Sequence, residues 1–203
     1  MPDISSVLPE DLSAVVAFHG HLCPGILIGY RAARIAMRTF GLERAYDEEL
    51  VCVVENSACG VDAVQVLTGC TFGKGNLFCR DNGKQVFTFA RRADLGRAVR
   101  VSLKPMAPPD LAGRNPEELS RAELRQAKIE QFMDAREEDM YWVDEVALEL
   151  PPPAQILTSI LCDNCGEPVM ETRLLSVEGR RLCIPCSEGW DPATVHRSDR
   201  GPG

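Results

Sequence analysis

Two Cys-x2-Cys pairs, Cys162 with Cys165 and Cys183 with Cys186, lie seventeen residues apart. No other feature restricts the folding of this chain as tightly. Four thiolates at that spacing form the ligand set of a tetrahedral zinc site, and a segment this short needs the metal to fold. Alternating apolar residues in 169–182, around Glu178-Gly179, suggest a hairpin between the two cysteine knuckles, with a short helix from Ser187 onward. The expected product is a small treble-clef or zinc-ribbon domain. A closed set of four thiolates leaves no position for substrate, so the structural reading outranks the catalytic one. Nucleic-acid readout is the usual rival use. From residue 160 to the end the side chains are seven acidic and five basic, which argues against it.

The whole chain of 203 residues carries a formal charge of −8, and neither nucleic acid nor an anionic membrane surface suits such a balance. Residues 1–16 are acidic and broken by Pro2 and Pro9, unlike a secretory leader, and no apolar run reaches spanning length. The expected location is the cytoplasm, where paired cysteines bind metal rather than form a disulfide framework. Pro151-Pro152-Pro153 is the best boundary in the chain. It separates a core domain over 1–150 from the four-cysteine domain over 155–192, with a polar, disordered tail over 193–203 that holds an idle His196.

The core reads as α+β, a mixture of helices and antiparallel strands. Pro9 and Gly20 bracket one helix, and Pro24 and Gly41 a second, with Cys23 at its N-cap position. Residues 50–54 form a buried strand that delivers Glu55, Asn56 and Ser57 to its end. Ser57 then caps a third helix that runs to Gly69 and places Cys59 at its second position. The Asn82-Gly83 pair between residues 77–80 and 85–91 signals a hairpin. A strand over 98–103 and a long charged helix over 117–136 follow.

Imidazole and thiol groups crowd the second turn region, Phe18-His19-Gly20-His21-Leu22-Cys23-Pro24-Gly25. An extended turn would project His19, His21 and Cys23 to one side, and a folded helix pair would bring Cys59 to meet them. Cys23 and Cys59 both sit at expected helix starts, where free N–H groups and the helix dipole favour thiolate. Such a set could hold zinc, iron or a similar ion with an open position, His21 and Cys59 being its first candidates as ligands. A thiol nucleophile with a histidine base uses the same groups. Simple packing is the bland alternative; it suits Cys52, inside an apolar strand, and leaves Cys70 and Cys79 open. Residues 69–76 are not a phosphate loop. Three residues rather than four separate Gly69 from Gly73, and Gly75 follows Lys74 where Ser or Thr is required. A glycine-rich turn with one cation remains, able to accept an anion or merely to bend.

Taken in order, Phe18-His19-Gly20-His21-x-Cys23-Pro24-Gly25, Glu55-x3-Cys59-x2-Asp62-Ala63-x-Gln65, Thr68-Gly69-Cys70-Thr71-x-Gly73-Lys74-Gly75-Asn76-Leu77 and Asp81-x-Gly83-Lys84 resemble the FmdE family, which takes its name from formylmethanofuran dehydrogenase. The terminal Cys162-x2-Cys165-Gly166-Glu167 fits the same family, so that the resemblance covers about residues 14–104 and 155–187. It implies an α+β core with an appended zinc module, an intertwined homodimer, and a pocket onto which His19, His21, Cys23, Cys59, Asp62 and Lys74 map as the candidate catalytic set. It also implies association with a molybdenum or tungsten enzyme of one-carbon metabolism, in an accessory or oxidoreductase role. The competing expectation is a non-catalytic docking module, or a redox sensor built on reactive cysteines.

Overall fold

The computed structural model describes residues 8–41, 44–94 and 96–189. The expected tail, with His196, and the start of the chain up to residue 7 lie outside them. Two compact units divide between Ala154 and Gln155, directly after the triple proline.

Unit one is a mixed α and β core. Helices α1 (Glu10–His19) and α2 (Pro24–Phe40) start and stop at the expected proline and glycine signals. Gly20 and Gly41 close them in the left-handed conformation, at φ 93° and 60°. Five strands follow: β1 (Leu50–Val54), β2 (Leu77–Cys79), β3 (Val86–Arg91), β4 (Arg97–Leu103) and β5 (Tyr141–Ala147). They form one sheet of order β2-β1-β3-β4-β5, antiparallel except for the parallel pair β1 and β2. The register aligns Cys52 with Phe89 and Phe89 with Val99, and likewise Val54, Phe87 and Val101. These six share one apolar face, and the period of two along each strand turns it toward the helices.

Helix α3 (Gly60–Thr68) lies against α1 and α2, while α2 also packs on β3, β4 and α4 (Arg121–Asp134). Arg31 of α2 donates to the last carbonyls of α4, at Phe132 (2.6 Å) and Ala135 (2.5 Å), where the negative end of the helix dipole favours a cation. The Tyr141 hydroxyl donates to the Ile28 carbonyl at 2.8 Å and ties the edge strand to the same helix.

Three expectations for unit one change. The Asn82-Gly83 turn does not close a hairpin, because β1 lies between β2 and β3. Instead the backbone N–H groups of Asn82 and Lys84 both donate to the Glu55 carbonyl, so the turn folds over the end of β1. The long charged helix is shorter than expected. Pro116–Glu118 is a separate 3-10 turn, Ser120 and Glu123 form a reciprocal capping box that starts α4, and Glu137–Met140 is the further short helix α5. Helix α3 starts at Gly60, since Asn56 rather than Ser57 accepts from the loop, at the Ala58 N–H.

Unit two carries two hairpins, β6 (Ser159–Leu161) with β7 (Pro168–Met170) and β8 (Leu174–Val177) with β9 (Arg180–Cys183). The second turns at Glu178-Gly179, as expected. The short helix α6 is Ile184–Ser187, ending rather than starting at Ser187, because Pro185 sets its first turn.

Candidate functional site

In unit two the sulfurs of Cys162, Cys165, Cys183 and Cys186 lie within 4.8 Å of one another. Cys165 Sγ and Cys183 Sγ are 3.9 Å apart, close to the ~3.8 Å edge of a tetrahedron built on Zn–S bonds of ~2.3 Å. Cys162 Sγ accepts from the Cys183 N–H at 3.3 Å. Backbone donors at Cys183 and Cys165 bring its thiol down to about 6, so it is largely thiolate at neutral pH. At Cys165 the Glu167 N–H favours thiolate, but desolvation and the other three sulfurs outweigh it and push the thiol up to about 12. Four clustered sulfurs therefore cannot all ionise alone; a divalent cation at their centre removes the conflict. This is a structural zinc site.

In unit one the ligand atoms of His19, Cys23 and Cys59 likewise lie within 4.8 Å of one another. Three local rules bring them there. His19 ends α1, Cys23 is the N-cap of α2 with its Sγ accepting from the Ile26 N–H at 3.4 Å, and Cys59 precedes the first residue of α3. The two cysteine-bearing helix starts meet because glycines line their contact. A Cβ on Gly25 would stand 2.9 Å from Cys59 Cβ, and one on Gly29 would stand 2.0 Å from the Gly60 carbonyl oxygen.

His19 is held from behind. Its Nδ1 donates to Asp62 Oδ2 at 2.7 Å, and its Nε2 lies 3.9 Å from Cys23 Sγ. A carboxylate that fixes the tautomer and ring orientation of an imidazole is the usual outer partner of a metal-ligating histidine. This role for Asp62, one helical turn after Cys59 and 43 residues from His19, has no local signal in the sequence.

The helix-start argument fails for Cys59. Burial raises the affinity of its thiol for a proton, and the neighbouring Cys23 and Asp62 raise it further. These outweigh the backbone N–H that lowers it, so a free thiolate nucleophile is disfavoured at Cys59, whereas a metal cation would compensate the same penalties. His21 stands outside the three-atom group. Gly20 turns the chain off the axis of α1, and the exposed His21 ring packs on the His19 ring with centroids 4.7 Å apart.

Lys74 is also elsewhere. Its Nζ donates to the carbonyls of Ala45, Tyr46 and Asp47 at 3.4, 3.3 and 2.9 Å. Ala45 bonds Thr68, at the C-terminal end of α3, while Cys59 lies at the opposite end, ~13 Å away along nine helical residues. Together with the buried Asn76, which donates to the Asp47 and Leu50 carbonyls, Lys74 secures the glycine-rich turn as a bend. Cys52 and Cys70 are fully buried, and burial pushes both thiols up, that of Cys70 to about 11. Cys79 is exposed and donates to the Asn56 carbonyl at 3.7 Å. Glu55 pairs with Arg100 at 3.0 Å and accepts from Asn82 at 2.9 Å.

Fold and sites define a class: an α+β core with a His/Cys cluster, joined to a four-cysteine zinc finger. The model of the FmdE family, described as "FmdE, Molybdenum formylmethanofuran dehydrogenase operon", matches residues 18–145, and the chain belongs to that family. The prokaryotic dksA/traR C4-type zinc finger matches residues 156–189. Among solved structures the chain is similar to a tungsten formylmethanofuran dehydrogenase FmdE-like protein from Syntrophus aciditrophicus. Identity is 26%, the TM-score 0.61, and the match covers 88% of this chain and 90% of that one. A "probable S-adenosyl-L-methionine-binding protein" from Archaeoglobus fulgidus is 31% identical over 84% of this chain, which spans only 50% of that relative's length. Among the described residues, no helix is long and apolar enough to cross a membrane.

Proposed function

We propose that His19, Cys23 and Cys59 hold a transition-metal ion with an open position, and that this centre serves one-carbon chemistry beside a molybdenum or tungsten enzyme. The convergence of one imidazole nitrogen and two sulfurs within 4.8 Å, with Asp62 locked behind the imidazole, carries the reading. Three protein ligands leave a zinc-like ion able to take a water or substrate oxygen and to act on it as a Lewis acid. On the protein side, Asp62 keeps the His19 Nε2 lone pair aimed at the cluster, and Gly25 and Gly29 keep the two thiols in register. The family's description and the name of the Syntrophus relative support the one-carbon setting and an accessory role to an oxidoreductase; a cytoplasmic location and a homodimer are part of the same proposal. The S-adenosyl-L-methionine in the Archaeoglobus relative's name is said of a longer chain, of which this one spans half.

Elemental analysis of protein purified without added metal tests the reading. Wild type should hold two metal ions per chain and Cys59→Ala one, with its fold intact. One zinc in both proteins would refute the second metal centre. The Cys23 and Cys59 sulfurs, close enough to be brought together, would then favour a redox or docking role.

A further inference from the structure

Residues 105–118 contain Pro105, Pro108, Pro109 and Pro116, which remove backbone donors and prevent a continuous helix or ladder. The segment instead borders a groove of about 410 Å³ along α4, within the range that takes a small organic molecule. Pro24, Pro108 and Leu124 contribute to its apolar wall, and no carboxylate lines it. Arg121, Arg125 and Lys128 form the other side. Their spacing of four and three residues stacks three cations on one helix edge, an arrangement that self-repels. Arg121 also stands in the first turn, where the helix dipole disfavours positive charge. Neighbouring arginines are neutralised, Arg114 by Glu123 and Arg136 by Glu138 and Asp139. The groove cations have no ion-pair partner among the described residues, in a chain whose net charge is −8.

We propose that this groove binds a small organic anion, a molecule with an apolar body and a carboxylate or phosphate-like end. The apolar wall would desolvate the body, and the cation row would hold the anionic end by charge-assisted hydrogen bonds. The three cations sit on a single edge, too narrow a basic surface to match a nucleic acid backbone. Pro24 is bonded to Cys23, but none of His19, Cys23 and Cys59 lines the groove and its cations lie on α4, so binding there does not depend on a metal being held by those residues.

The probe is 1-anilinonaphthalene-8-sulfonate, an apolar body with one fixed negative charge, set against its neutral counterpart N-phenyl-1-naphthylamine. Fluorescence titration of the full chain should show one saturable site per chain for the anionic probe. The double variant Arg125→Gln/Lys128→Gln should weaken it about tenfold or more while leaving the neutral probe unchanged, and raising salt from ~0.05 M to ~0.5 M should act in the same selective way. Cys59→Ala should bind the anionic probe like wild type, which separates the groove from the metal centre. Three results would overturn the proposal: no saturable site, equal losses for both probes, or binding that appears only when dilution breaks up a self-associated form. The last would make the groove an interface between copies of the chain.

Discussion

Gly29→Ala is the sharpest perturbation of this architecture, because one methyl group is placed where two helices touch through backbone alone. The new Cβ would stand 2.0 Å from the Gly60 carbonyl oxygen and 2.5 Å from its C and Cα. An ordinary contact needs 3.4 Å, so α2 and α3 must separate by about 1.4 Å, the difference between those two distances. No side-chain rotamer can absorb this, since the obstructing atoms are main chain on both sides. Overpacking costs ~1–3 kcal/mol where side chains can yield, and we expect at least ~3 kcal/mol here. For a domain of this size that lowers Tm by ~6–12 °C, read by calorimetry or circular dichroism. Separation also draws Cys59 away from Cys23, so the core metal should be lost while the zinc of unit two stays. Gly73→Ala is the control, since nothing lies within 4 Å of its would-be Cβ. Melting of Gly29→Ala within ~2 °C of wild type would refute the argument that the glycine contact sets the helix spacing.

Asp62→Asn keeps the shape of the site but weakens the hold on the His19 tautomer; it should loosen the core metal by ~10–100-fold in competition with a chelator, with little change in Tm. Arg100→Met should cost ~1–2 kcal/mol at pH 7, because it leaves the half-buried Glu55 short of a cation. Burial alone would raise the Glu55 carboxyl, but donors at Asn82 and Arg100 hold it below its ordinary value of 4.5. A depressed folded value stabilises above the unfolded one and is lost as pH falls through it, so the gap between variant and wild type should close below pH 4.5 in urea titrations. A strong chelator should unfold unit two, seen as loss of its amide dispersion in NMR spectra, while the sheet core stays folded.

Wherever one residue type dictates one backbone state, the sequence was legible. The brackets Pro9 and Gly20, and Pro24 and Gly41, mark α1 and α2 correctly, and the run from Leu50 to Val54 is the buried strand it resembles. The second hairpin of unit two turns at Glu178-Gly179 because only those two residues adopt positive φ there, 52° and 79°. The Asn82-Gly83 signal misled for a definite reason. Its turn geometry is local, but the choice of strand partner is not, and β1 takes the place between β2 and β3 because its five buried residues need neighbours on both edges.

The composition of the site followed from local pattern, whereas its membership did not. Spacing alone marked Cys162, Cys165, Cys183 and Cys186, since a metal with four equivalent bonds imposes its geometry on nearby sequence. That His19 rather than His21 stands with Cys23 and Cys59, and that Asp62 stands behind it, depends on how α1, α2 and α3 cross. The same holds for the thiol of Cys59, whose helix-start position promised a lowered affinity for protons until burial beside Cys23 and Asp62 reversed it. Sequence determines which chemical groups exist and which backbone states they favour over a few residues. Distances between groups forty residues apart, and the water that packing removes from them, come only from the tertiary fold.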